Sequence, residues 1–340
     1  MSKNMAASQN HELRPLLELS ARIGCDPLLT QASTGNISIK LNGSLWIKAS
    51  GKWMADALSE NFLVPLDLAE VLACVRLNTD PTDRYTNASL ETAMHAVLPH
   101  RVVLHVHCVN TIAWAVRQDA LNQLQQKLDG LRWRFIPYVA SGLTLARTIE
   151  RALAVSPNTD VLVLGNHGLV VGGQDCGAVE DLLCDVHRRL GIRARVAHPA
   201  DYAVLAEIAD RWSWDLPDDD DVHALGTDPV TRAVLSGGLL YPCQAIFSNS
   251  RSAELFRTIR SADADDWEGN CERPFLIIQE RGVIFNRAMT PAERAMISGL
   301  AQVVQRIPSS APIRYLTEAE VSDISSTQAY RYRELANASH

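Results

Sequence analysis

The run Val102-Val-Leu-His-Val-His107 admits few conformations. On a strand successive side chains point to opposite faces, so both imidazoles project together while Val102, Leu104 and Val106 face the other way. A lone histidine on such a run would be a satisfied core residue. Two side by side, backed by valine and leucine, are hard to explain as packing, and the pair reads as part of a metal site.

His167 is the natural third ligand. It lies in Leu164-Gly-Asn-His-Gly168, between Asp160–Leu164 and Leu169–Val171, short apolar runs that read as strands buried on both faces. A turn bounded by glycines lets a side chain stand at the end of a sheet; a histidine that only hydrogen-bonds within a hairpin is the plain alternative. Three neutral imidazoles with no anionic ligand would leave a dication its full charge and an open fourth position. That is the pattern of a catalytic ion.

Other residues gather around this core. Glu91 stands in Asn87-Ala-Ser-Leu-Glu-Thr-Ala-Met-His95 near a helix start. The helix dipole alone explains a carboxylate there, but a strand of metal ligands begins a few residues later. His95, one turn along, is either a partner behind the ligands or an outlying ligand. In Ser33-Thr-Gly-Asn-Ile-Ser38 and Lys48-Ala-Ser-Gly51, small residues let N–H groups and hydroxyls converge on an anion, with ordinary loops as the alternative. Lys40 and Lys48 add charge there or are plain strand-surface lysines.

The surrounding pattern alternates. Helical spacing covers 11–25, 66–76, 89–98 (with Ser89 as N-cap), 120–130, 142–155 and 176–197, and residues 101–110 read as a strand. Asn42-Gly43 between two β-prone runs predicts a hairpin. Through residue 197 this makes an α/β layered unit, and alternation alone suggests parallel strands. Pro217-Asp-Asp-Asp-Asp-Val-His223 reads as a solvated linker, with a metal site as the alternative. Beyond it, Pro274–Ile278 and Val283–Phe285 bracket a turn at Gly282. Thr290-Pro-Ala-Glu293 opens a helix with a capping box, and Thr317-Glu-Ala-Glu320 repeats the device. The expected division is 10–197 and an α+β extension over 198–340.

Composition removes whole classes of function. A chain of 340 residues buries a sizeable core without disulfides or structural metals. With 32 basic and 39 acidic residues, a net charge of -7 and no dense Lys/Arg cluster, it is a poor binder of nucleic acid or anionic membrane. No stretch reaches the ~18 apolar residues of a membrane span. Seven scattered cysteines without a Cys-x-x-Cys pair read as reduced, mostly buried thiols of a cytoplasmic protein. Met1–Arg14 lacks the basic flank and apolar core of a secretory signal.

Five pieces occur together and in order: Thr-Gly-Asn-Ile-Ser at 34–38, Lys-Ala-Ser-Gly at 48–51, Ser-Leu-Glu at 89–91, His-Val-His at 105–107 and Gly-Asn-His-Gly at 165–168. Over residues 10 to 197 the chain resembles the class II aldolase/adducin family. Its tail, with Gly238-Leu-Leu-Tyr-Pro242 and Tyr330-Arg-Tyr-Arg333, is similar to the longer branch, the aldolase module of rhamnulose-phosphate aldolase/alcohol dehydrogenase proteins.

The resemblance implies a three-layer α/β/α core around a mainly antiparallel sheet, with a smaller α+β C-terminal extension. It implies a divalent ion, usually Zn2+ with Mn2+, Co2+ or Fe2+ as alternatives, on His105, His107 and His167. Glu91 matches the general acid/base. Asn36, Ser50, Gly51 and Ser89 fall where members bind the substrate phosphate, although Leu90 stands where fuculose-phosphate aldolase has a second phosphate-binding serine. Tyr138 is a candidate for the proton donor to the aldehyde oxygen.

The implied activity is that of an aldehyde-lyase, cleaving or forming a carbon–carbon bond of a sugar or deoxysugar phosphate through a metal-stabilised enediolate. A pentulose-phosphate 4-epimerase, a decarboxylase or a dehydratase would use the same site. A reading of another class is a non-catalytic assembly module whose structural ion takes His95 or Cys108 as fourth ligand. Family members commonly form tetramers, so a homo-oligomer is expected.

Overall fold

Asn42 and Gly43 take φ of 51° and 80°, which matches a tight turn to the twist of the strands it joins. In the computed structural model, which describes residues 3–59, 61–248, 256, 258–261, 273–324 and 327–338, this turn links β1 (Asn36–Leu41) to β2 (Ser44–Lys48). With β3 (Leu63–Asp67), β4 (Val102–Val106), β5 (Trp133–Ile136), β6 (Val161–Leu164) and β7 (Gly168–Gly173) they form one sheet in the order β3-β2-β1-β4-β7-β6-β5.

Every neighbouring pair is antiparallel except β5 with β6. The parallel arrangement that simple alternation suggests is therefore wrong. Tight turns such as Asn42-Gly43 and Gly165–His167 can join only antiparallel neighbours, and parallel pairing needs a crossover. Such a crossover, through a helix, lies between β5 and β6.

Helices cover both faces. Leu13, Leu16 and Leu19 of α1 (Lys3–Gly24) and Val179, Leu183 and Val186 of α7 (Cys176–Arg189) pack against Val102, Leu104 and Val106. Each of these three β4 side chains is fully buried, contributing roughly 1.5–3 kcal/mol of apolar burial. On the other face Val103, Leu162 and Val170 meet α3 (Thr92–Val97) and α6 (Leu143–Val155), and Leu45, Ile47 and Leu66 meet Val71 of α2 (Leu68–Leu77). The layers are α/β/α, and the histidine face of β4 is the one toward α3.

The C-terminal elements join this core through α4 (Val109–Ala115), which α5 (Ala120–Lys127) follows. Val109, Ile112 and Ala113 of α4 share a cluster with residues from α10 (Pro229–Ser236), α11 (Pro242–Ser248), the hairpin β8 (Phe275–Ile278) and β9 (Gly282–Phe285), and α12 (Pro291–Val304). Between α7 and α10 lie α8 (Tyr202–Trp212) and α9 (Ala224–Thr227); α13 (Glu318–Ile324) and α14 (Thr327–Asn337) complete the order. The capping box at Thr290 and Glu293 is present in both directions, and Thr317 and Glu320 exchange the same pair of bonds.

Several boundaries differ from the sequence reading. The helix expected over 176–197 ends at Arg189; further on, Arg195 ties the following segment to Asp228 and to carbonyls at the end of α12. The helix expected from 89 begins at Thr92, with Glu91 rather than Ser89 in the N-cap position. The Asp218–Asp221 run is exposed but is no linker: Asp219 caps a short 3-10 turn, and His223 behind it is buried and accepts from the Val283 N–H at 3.1 Å. Of the described cysteines Cys74, Cys108 and Cys243 are buried, Cys176 is half-buried, and Cys25 and Cys184 are exposed; all are free thiols. Cys271 lies outside the described residues. No described helix is long and apolar enough to cross a membrane.

Candidate active site and metal centre

β4 carries His105 opposite Asn36 of β1 and Val170 of β7. His107 follows just past the strand end, and His167 sits in the turn from β6 into β7, beside β4. The sheet therefore delivers all three imidazoles to one place. Their ring centroids are 4.9, 4.9 and 5.0 Å apart, their candidate ligand atoms lie within 4.8 Å of one another, and all three are buried.

The outer nitrogens settle which way two of these rings face. His105 Nδ1 lies 3.0 Å from the Leu169 carbonyl oxygen. A carbonyl only accepts, so Nδ1 carries the proton and Nε2 presents a bare lone pair inward. His107 Nδ1 faces the Cys243 thiol sulfur at 3.4 Å, and its Nε2 is 3.1 Å from His105 Nε2. Burial lowers the His107 and His167 imidazoles, His167 to about 4, so both are neutral near pH 7. Neutral imidazoles converging on one point are the donor set a borderline-soft dication takes. The three histidines fit a divalent ion.

Glu91 completes the cluster. Its Oε2 is 3.3 Å from His105 Nε2 and its Oε1 is 3.3 Å from His167 Nε2. Burial alone would push this carboxyl up, but the His105 and His167 imidazoles and the hydrogen bond from Asn36 outweigh it and hold it at about 2. Asn36 Nδ2 donates to Glu91 Oε2 at 2.8 Å and to Ser89 Oγ at 3.1 Å. The Asn36 carbonyl oxygen meets His95 Nε2, and His95 Nδ1 lies 2.7 Å from Ser38 Oγ. Ser38, His95, Asn36 and Glu91 thus form a buried chain that fixes one carboxylate oxygen. The other, Oε1, is buried with no hydrogen-bond partner among the described residues.

A cavity of about 90 Å³ opens beside Glu91, His107 and His167. Lys48 reaches into its lining, fully buried, with Nζ donating to the Ser33 and Lys52 carbonyls at 2.8 and 2.6 Å. Burial lowers this ammonium to about 7 against the opposing pull of Glu91. On the far wall stands Tyr332 of α14, whose hydroxyl is 3.0 Å from Ser33 Oγ.

Residues 16–191 match the family model described as the class II aldolase and adducin N-terminal domain. The match takes in more than half of the chain, including all three histidines and Glu91. The chain belongs to the class II aldolase and adducin family. Among curated proteins, the uncharacterized oxidoreductase YuxG of Bacillus subtilis (strain 168) is 26% identical over 191 residues, covering 50% of this chain and 27% of YuxG. The chain thus spans about a quarter of that relative's length. Among solved structures, the N-terminal class II aldolase domain of a conserved Thermoplasma acidophilum protein is 22% identical, with a TM-score of 0.46 over 51% of this chain and 89% of that one. The l-fuculose-1-phosphate aldolase of Thermus thermophilus is 16% identical, with a TM-score of 0.39 over 60% and 100%.

Within this class II aldolase family member, most residues singled out from sequence lie together. Ser33, Asn36, Ser50, Ser89, Glu91, His107 and His167 line the cavity, with His105 behind. Four candidates lie elsewhere. Gly51, next to the lining residue Ser50, packs against Leu335 of α14 and does not line the cavity. His95 sits behind Asn36. Lys40 donates to the Leu98 and His100 carbonyls at the end of α3, outside the cavity. Tyr138 stacks under the Arg314 guanidinium, 5.1 Å from its ring centre, and does not line the cavity. Cys108 turns away to His187 at 3.3 Å, so neither it nor His95 is drawn into the histidine cluster.

Sequence reasoning quoted Tyr332 and Asn166 only as parts of family motifs, with no role for either, and missed Cys243. Tyr332 had a faint signal, since it and Ala336 share one face of the last helical stretch at i and i+4. Cys243 had none. Asn166 has φ of 52° and donates from Nδ2 to the Leu240 and Arg314 carbonyls, both at 2.8 Å. It pins the turn that carries His167 to the C-terminal elements.

Proposed function

We propose that the chain is a divalent-metal-dependent lyase of the aldolase type, making or breaking a carbon–carbon bond beside a hydroxycarbonyl group. Family membership supports this class of reaction and implies a substrate of the sugar-phosphate type. His105, His107 and His167 would hold the ion, which when bound supplies Lewis-acid stabilisation of negative charge on substrate oxygen.

The observation that carries the reading is the asymmetry of Glu91. Asn36 holds Oε2, while Oε1 is buried and has no donor. A carboxylate held by one oxygen, with the other free of hydrogen bonds among the described residues and 3.3 Å from His167 Nε2, is oriented for proton exchange with the carbon next to a carbonyl bound at the histidines. His95, lowered by burial to about 3, stays neutral and donates to Asn36, which keeps the amide turned with its N–H toward Glu91. Burial raises the Tyr332 hydroxyl, so it remains protonated and can donate to a substrate oxygen. The Ser33 and Ser89 hydroxyls supply further polar contacts for substrate hydroxyls.

The test is a pair of variants. Glu91→Gln should keep its metal and lose turnover by roughly 10²–10⁴-fold, the usual weight of a positioned acid or base. His167→Ala should lose metal. Unchanged turnover in the first variant removes Glu91 from the chemistry, and full metal content in the second removes His167 from the ligand set. A condensation assay with a short ketose donor and aldehydes separates a lyase from an epimerase.

A further inference from the structure

Helix α14 lies against the Ser50–Gly51 turn, where the family resemblance puts a substrate phosphate. Gly51 has φ of +77°, and a Cβ built on it would fall 2.6–2.8 Å from the Cβ, carbonyl carbon and oxygen of Leu335. The backbone of α14 therefore rests directly on the Ser50–Gly51 turn. Three residues earlier in the chain, Tyr332 bonds to Ser33 on the other small-residue turn.

This helix is anchored. Arg333 pairs with Glu293 at 2.8 Å, with side chains only 21% and 8% exposed. Asn337 accepts from Thr290 Oγ1 at 2.9 Å, Ala336 is fully buried, and the Tyr332 ring meets Phe247 edge-on at 5.9 Å. Two of these contacts bind the helix to the capping box of α12. The contacts describe a built wall of the site.

The remaining groups point the same way. Asn36 and Ser89 are bonded to each other, and Asn36 also holds Glu91. Lys48, the one lysine or arginine among the described residues lining the cavity, already serves two backbone carbonyls. Ser50, Leu90 and Tyr332 line both this cavity and an outer one of about 270 Å³, whose lining holds one carboxylate, Asp83, and one guanidinium, Arg331, so no net positive charge awaits a dianion there. The cavity beside Glu91 is about 90 Å³, a third of the roughly 270 Å³ of the outer one, so a compound seated there has little room for an added phosphate.

We propose that α14 is a fixed specificity wall of this active site, and that the chain acts on a small, phosphate-free hydroxycarbonyl compound. Tyr332 and Leu335 are the residues that set this limit. The proposal rests on the lyase reading above and narrows its substrate class away from the family's sugar phosphates.

The experiment compares dihydroxyacetone with dihydroxyacetone phosphate on the full-length, metal-loaded protein, by calorimetric affinity and by kcat/KM in condensation with short aldehydes. The phosphate-free compound should be favoured tenfold or more. In the Tyr332→Ala/Leu335→Ala double variant, which joins the two cavities, that ratio should fall at least tenfold; a folded variant with an unchanged ratio overturns the role of α14. Equal affinities in the wild type, a preference for the phosphate ester, or no binding of either compound overturn the proposal without any variant. Discrimination in binding without turnover of either compound leaves this wall standing and sinks the lyase reading; turnover of the phosphate ester does the reverse.

Discussion

Asn36 Nδ2 lies 2.8 Å from Glu91 Oε2, and this one bond joins the first strand of the sheet to the carboxylate beside the three histidines. The strand register places it there, since Asn36 is the cross-strand partner of His105. Asn36→Ala should therefore lower turnover by about 10–100-fold, as loss of a partner behind a metal site typically does, while metal content stays full. Elemental analysis alongside kcat checks it. Loss of metal in this variant would make Asn36 a support of the ligands instead.

Asn166 predicts a different split. Its left-handed backbone is tolerable for asparagine, and its amide satisfies two carbonyls of the C-terminal elements. Asn166→Gly keeps the backbone but removes both bonds and the one its Oδ1 accepts from Arg314, leaving the buried Leu240 carbonyl without its donor at a cost of about 1–3 kcal/mol. The His167 turn should loosen, with metal affinity falling about tenfold or more. Competition with a chromophoric chelator reads this directly. An unchanged affinity would show that β6 and β7 alone hold the turn.

Much of this site was legible because strands report their geometry in pairs. His105 and His107 lie two apart with Val102, Leu104 and Val106 facing the other way, and the three apolar side chains are buried as expected. β4 ends at Val106, short of the 101–110 expected, yet His107 just past its end still joins His105. The capping box at Thr290 was equally local. Contacts that close over long sequence distances left no such trace. Cys243 reaches His107 across 136 positions and Tyr332 reaches Ser33 across 299, and nothing in either neighbourhood encodes the partner. Strand direction failed for a related reason: alternation names the elements, whereas the short turns decide how they pair.

Gly51→Ala tests the contact with α14 from the other side. Alanine at φ of +77° costs about 1–2 kcal/mol in backbone strain, and the new methyl would meet the Leu335 backbone. The thermal midpoint should fall by several degrees. A substitution at Gly43, whose Cβ would meet nothing within 4 Å although its φ is +80°, controls for the strain alone. The excess loss at Gly51 measures the packing of α14, and equal losses at both sites would deny that packing.

Chelation offers a test of the ion that does not depend on activity. Three converging imidazoles and a buried carboxylate beside them are stabilised by a bound cation. A ligand present at 1,000 times its Kd stabilises the folded state by about 4 kcal/mol, so chelator should lower the thermal midpoint by several degrees and added Zn2+ should restore it. His105→Ala should already melt near the chelated value and respond little to either treatment. A chelator-insensitive wild type would contradict a bound ion.

The pair formed by Arg195 and Asp228 predicts how stability depends on acid. Asp228 is buried; Arg195 reaches its Oδ2 at 2.6 and 2.9 Å and Thr231 at 2.7 Å. Burial alone would raise this carboxyl, but the hydrogen bonds from Arg195 and Thr231 outweigh it and hold it below the usual range. Because the folded value lies below the unfolded one, the contribution to stability is fully present above the unfolded value of about 4 and is lost as the pH falls through the folded value. Asp228→Asn keeps an oxygen that can cap α10 but removes the titrating charge. Urea midpoints of the two proteins should differ by a constant amount at neutral pH, and that difference should shrink as the pH drops below about 4. A gap that stays constant into acid would mean that Arg195 holds Asp228 through shape and hydrogen bonding alone, with no share for its charge.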